Sequence, residues 1–226
     1  NGKVTVTAAA NETETAKSAT LVLYVAASEG GAAVVSANVA LSQAAKPSQS
    51  GNAKTLTISR STIDTSEWTV NGYGAQNTTN LDTYMKWAID GIDFIGAKLC
   101  LPTVSGDWAK VNAFQGQGNA TDNAKTCRLG NTVSMGKITK ITVVSYGTTY
   151  TPNFNLAVGN EQIVGTTIPS NMVSAENMEQ SVEELTDPAL KKYTNVYVPT
   201  TDAGFFAIYK NTSGALYFSD IIVEYE

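Results

Sequence analysis

From Lys54 to Glu226 the chain is written in short runs in which apolar and polar residues alternate, separated by turn-forming Gly, Asn, Asp, Ser and Thr. A period of two puts alternate side chains on opposite faces of a strand, so each run buries its apolar face only against a second sheet. Many such runs predict an all-β fold, a large antiparallel jelly-roll β-sandwich. Met85-Lys86-Trp87-Ala88-Ile89-Asp90 shows the pattern most plainly: Met85, Trp87 and Ile89 share one face, Tyr84, Lys86, Ala88 and Asp90 the other, which places Trp87 in the core. Leu56-Thr57-Ile58 opens the region. Ile138 to Val144 and Asn153 to Val158, joined through Tyr146-Gly147-Thr148-Thr149-Tyr150, read as one hairpin. Phe205 to Tyr209 and Ala215 to Tyr225, joined through Lys210 to Gly214, read as a second.

Two stretches interrupt the alternation. Ser174 to Tyr193 carries most of its acidic residues early and Lys191-Lys192 at its end, and Ser181-Val182-Glu183-Glu184 has the spacing of a capping box, so one short helix ended or bent by Pro188 is expected. Gln115-Gly116-Gln117-Gly118-Asn119 lacks the Lys and Ser or Thr of a phosphate-binding loop and reads as a turn.

The N-terminal stretch is organised separately. Val4 to Thr7, Ala19 to Val25 and Val34 to Leu41 alternate like strands, with a polar turn at Asn11 to Thr15 and a Glu29-Gly30-Gly31 turn. Three strands bury too little surface to be stable alone. Residues 46–53, small and polar with one Pro and no apolar period, read as a linker between a β domain at 1–45 and the sandwich at 54–226.

Composition narrows the chemistry. The 226 residues include no histidine, which excludes His-based acyl transfer, His-containing zinc sites and His-ligated haem. A net charge of -5 with Lys191-Lys192 as the sole adjacent basic pair argues against nucleic acid. No apolar run approaches membrane-spanning length, and no basic, apolar, small-residue leader follows Asn1, so a mature or trimmed soluble product is expected. Cys100 and Cys127 fall in separate predicted strands, leaving a disulfide and two buried thiols as open alternatives.

The stretch from about residue 3 to 45 resembles the second half of a BACON domain. The resemblance rests on Val4-Thr5-Val6 leading to Asn11, Ala19 opening a strand, and Val39-Ala40-Leu41-Ser42-Gln43 closing the last one, with Lys17 where the family tends to have arginine. The later region resembles jelly-roll and carbohydrate-binding sandwiches that accompany such modules, through Gly136 to Val143, Ala157-Val158-Gly159, Phe205 to Asn211 and Ser219 to Tyr225. These resemblances imply an exported or cell-surface protein of Gram-negative gut bacteria, with any lipid anchor upstream of Asn1.

A sugar ring offers an apolar C–H face and a hydroxyl rim, so aromatic side chains beside amides or acids are the expected receptors. Trp68 and Tyr73, Trp108, and Tyr146 with Tyr150 are the loop aromatics, with Asn71 and Asp107 as polar partners and Gln76 and Asn112 nearby. Each has a plainer role in packing under a loop. A sugar site requires two of them exposed within one sugar length. A glycosidase would instead need two carboxylates across a cleft, Asp90 and Asp93 being the nearest pair in sequence, with Glu67 and Asp107 beside the tryptophans. No cofactor is expected. A structural calcium would draw on Asp64, Asp93, Asp220 or Glu224, although no Asp-x-Asp-x-Asp-Gly loop occurs. The expected function is therefore non-catalytic binding of a glycan or host surface glycoprotein, ahead of an adhesion or spacer role and then a carboxylate glycosidase.

Overall fold

The computed structural model describes residues 5–7, 16–43, 52–64, 66, 68, 72, 78–103, 105–119, 121–148, 153–210 and 212–226. The chain divides into two compact units, 1–51 and 52–226, a boundary inside the stretch read as a linker. All described strand pairings are antiparallel.

Unit 1 holds β1 (Lys17–Ala26) and β2 (Ala33–Gln43), which pair from Lys17↔Gln43 to Val25↔Val35 with a bulge at Val25/Ala26. Ala19, Leu21 and Leu23 stand opposite Leu41, Val39 and Ala37, so one face of the ribbon is apolar. Thr5–Thr7 form no strand, contrary to the alternation there; Val4 and the turn at Asn11 to Thr15 lie outside the described residues.

Unit 2 is a two-sheet sandwich. Its strands are β3 (Lys54–Ser59), β4 (Met85–Ile89), β5 (Ile92–Ala97), β6 (Leu99–Cys100), β7 (Phe114–Gly118), β8 (Cys127–Asn131), β9 (Ile138–Gly147), β10 (Asn155–Gly159), β11 (Val173–Ser174), β12 (Glu179–Glu184), β13 (Lys191–Tyr197), β14 (Phe205–Lys210) and β15 (Gly214–Tyr225). One sheet runs β11-β10-β14-β8-β5-β4 and the other β12-β13-β9-β15-β7-β6, with β3 also paired to β15. Met85, Trp87, Phe94, Leu129, Phe206 and Ile208 from the first sheet meet Leu56, Phe114, Ile141, Val143, Phe218 and Ile221 from the second in one core. Alternation places these residues inward, and Trp87 is buried as its pattern requires.

Several expectations are corrected by partner choice. β9 and β10 are not a hairpin, because β9 lies between β13 and β15 while β10 pairs with β11 and β14 in the opposite sheet. β14 and β15 likewise fall in different sheets, so they are not hairpin partners. A period of two identifies a strand's buried face, and two strands facing each other across a core carry the same pattern as two strands side by side. The expected helix is also absent: Ala175–Asn177 is a single 3₁₀ turn and Ser181-Val182-Glu183-Glu184 lies in edge strand β12. Glu183 and Glu184 pair across the strands with Lys192 and Lys191, each at 3.0 Å, instead of capping a helix. Pro188, soon after Glu184, leaves too few residues for a helix to propagate.

Gln115-Gly116-Gln117-Gly118 is strand β7, not a turn. Its glycines face inward where there is no room for a side chain: a Cβ at Gly116 would lie 2.4 Å from Cys127 Sγ, and one at Gly118 would lie 2.0 Å from the Thr212 carbonyl oxygen. Cys100 and Cys127 are both buried free thiols, so of the two alternatives the disulfide is not formed.

Candidate functional site

The predicted aromatics separate into three groups. Trp68 is buried, meeting Trp87 and Phe114 edge-on at centroid distances of 6.1 and 5.7 Å, so it is core and offers no open ring face to a sugar. Tyr146 is also buried, with Val144 and Leu190, because alternation along β9 turns it toward the outer surface of its sheet, where Leu185 and Leu190 cover it. Tyr73, Tyr150 and Asn71 lie outside the described residues, as do Glu67 and Gln76.

Trp108 remains at the surface. It sits on α1 (Asp107–Lys110), a four-residue helix with Gly106 extended at its N-cap. Its ring stacks on Tyr217 at a centroid distance of 3.7 Å and an interplanar angle of 1°. Both residues are half-buried, and Trp108 and Val111 pack on the cluster of Val144, Tyr146 and Leu190. Tyr217 stands opposite Gln115 of β7 and Tyr146 of β9. Asp107, Lys110 and Asn112 are exposed beside the stack, and Gln115 is half-buried. Lys110 Nζ lies 2.7 Å from Asp187 Oδ1 and 3.6 Å from Asp107 Oδ1, and the hydrogen bond to Asp187 raises its pKa above the usual lysine value. Lys110 thereby links α1 to the loop between β12 and β13.

Tyr217 escaped the reading of loop aromatics because it belongs to a strand. The signal was present: Leu216 and Phe218 are apolar and buried, so the residue between them must face outward.

Three of the carboxylates have structural partners or positions. Asp90 and Gly91 form the two-residue turn between β4 and β5, with φ of 51° and 81° and Ile89 opposite Ile92. Asp-Gly is the favoured pair for such a turn, which gives Asp90 a structural role in the hairpin. Asp220 accepts from Ser219 Oγ at 2.6 Å, and Glu224 is paired with Lys140. Among the described residues no group of three or more Cys, Asp or Glu is arranged to hold a metal ion. No described helix is long and apolar enough to cross a membrane.

On the outer surface of the other sheet, Arg128 is fully buried. Its guanidinium donates to the carbonyls of Thr126, Thr78 and Gly165 and lies 5.6 Å from the centroid of the Tyr209 ring. Tyr84 donates to the same Thr78 and Gly165 oxygens, and Tyr209 to the Ile163 carbonyl. Burial raises the pKa of both phenols, that of Tyr209 to about 12. This clasp ties the segments at Thr78 and Ile163–Gly165 to β8 and β14 by side-chain hydrogen bonds.

No protein-family model matches the sequence, and no curated protein matches it significantly. The fold defines the class, an antiparallel all-β sandwich.

Proposed function

We propose that the chain is a non-catalytic glycan-binding module of an exported or cell-surface protein, and that its sandwich engages sugar at the Trp108–Tyr217 surface. The observation that carries this is the half-exposed stack itself, two aromatic rings 3.7 Å apart beside Asp107, Asn112 and Gln115. Aromatic surface gains from covering the C–H face of a pyranose, and the neighbouring acid and amides supply acceptors and donors for its hydroxyls. Covering on the order of 50 Å² of apolar area at roughly 25 cal/mol per Å² stabilises by about 1 kcal/mol, the scale of a weak lectin contact.

The burial of Trp68 and Tyr146 favours a second reading, a spacer or adhesion module whose aromatics serve packing alone. A glycan array probed with the chain and with Trp108→Ala separates the two. The lectin reading expects a set of related glycans bound by the native chain and lost in the variant; an array without signal favours the spacer.

A further inference from the structure

Two aromatic rings can serve a glycan side by side, as platforms for successive sugar units, or stacked on each other, as a single platform. Trp108 and Tyr217 are stacked. At a centroid distance of 3.7 Å and an interplanar angle of 1°, each ring gives one face to the other. The faces left over point in opposite directions, so a pyranose lying on one of them cannot lead the next pyranose of its chain onto the other.

No neighbour widens the platform. Tyr217 stands between Gln115 of β7, whose side chain is an amide, and Tyr146 of β9, which is buried with Val144 and Leu190. Along β15 the next outward residues are Ala215 and, past the bulge at Phe218/Asp220, Asp220. Neither offers a ring. Among the described residues of unit 2, two other aromatics keep accessible surface: Tyr197 packs against the core, and Phe205 belongs to β14 in the opposite sheet.

The platform is also held in place. Backbone hydrogen bonds from the Asn112 N–H to the Ala109 carbonyl and from the Ala113 N–H to the Trp108 carbonyl, both at 3.0 Å, close the turn after α1. Lys110 ties the same helix to Asp187 at 2.7 Å. Asp107 and Asn112 belong to this short segment with Trp108, so the polar groups gather about one ring instead of running along a groove.

Resting on the glycan reading of this surface, we infer that the site recognises a single pyranose unit and gains nothing from the length of the chain attached to it. The test is calorimetric titration of the full chain with glucose, galactose, mannose, xylose and N-acetylglucosamine, each beside its linear disaccharide and tetrasaccharide. In the series that binds, the tetrasaccharide is expected to be less than about tenfold tighter than the monosaccharide, because four equivalent units raise affinity only by their number. An extended groove would instead add about fivefold for every further ring covered, more than roughly a hundredfold across four units. Trp108→Ala should weaken monosaccharide and tetrasaccharide by the same factor, with the fold retained by circular dichroism. A gain of about tenfold or more from one unit to four, or a tetrasaccharide bound where its monosaccharide is not, overturns the inference and leaves the glycan reading standing. No saturable binding in any series up to on the order of 50 mM, or native affinity in a folded Trp108→Ala, overturns that reading and the inference with it.

Discussion

At the residue scale the least legible feature was Arg128. Its neighbours Cys127 and Leu129 are apolar, so alternation says only that Arg128 faces the other way, and nothing local announces that Tyr84, Tyr209 and three carbonyls meet it there. Replacing it by Met strands buried carbonyls, each worth about 1–3 kcal/mol, so Arg128→Met is expected to lower unfolding free energy by about 2–4 kcal/mol in urea titrations. Lysine should not restore it, because one ammonium cannot reproduce the planar fork. Cys127 offers a second check. Burial pushes its thiol from 9.0 up to about 12, so the native state keeps its proton where the unfolded chain loses it. The native state then binds more protons, and stability falls as pH rises from 9.0 toward about 12. Cys127→Ala should remove that component of the alkaline loss, and iodoacetamide at pH 8 should label Cys127 only after unfolding.

At the element scale strand existence was largely readable and strand partnership was not. Met85, Trp87 and Ile89 announced β4 and its buried face, yet β9 with β10, and β14 with β15, carried the alternation of hairpins while facing each other across the core. β7 was missed because inward glycines erase the apolar half of the pattern, and their reason is spatial: Cys127 Sγ and the Thr212 carbonyl occupy that room. Gly116→Val is therefore expected to destabilise severely, by about 3 kcal/mol or more through overpacking. The Asp90-Gly91 turn gives an opposite test. Gly91→Ala, at φ 81°, should cost about 1 kcal/mol. Asp90→Asn, which keeps a good turn residue, should leave the thermal midpoint nearly unchanged. Edge strand β12 carries Glu179, Glu183 and Glu184 with Val182 exposed, a charged edge that opposes pairing with another chain.

At the scale of the whole molecule, the sequence pattern announced the fold class and left the site open. The alternation fitted a two-sheet sandwich, whereas the binding surface depends on which aromatics escape the core, and that is decided by packing. Trp68 went inward and Tyr146 was covered on the outer face of its sheet; Trp108 stayed at the surface and gained Tyr217, a strand residue. Unit 2 holds its own core, so a fragment beginning at Asn52 is expected to unfold cooperatively, while the two-stranded ribbon of unit 1 is too small to fold alone. Circular dichroism of the two fragments checks this. The most direct test of the glycan-binding account is calorimetric titration of an array-selected glycan into the native chain, Trp108→Ala and Tyr217→Ala. The account predicts at least about fivefold weaker binding in each variant, with the fold retained by circular dichroism. Wild-type affinity in both variants, or no glycan bound by the native chain, would contradict it.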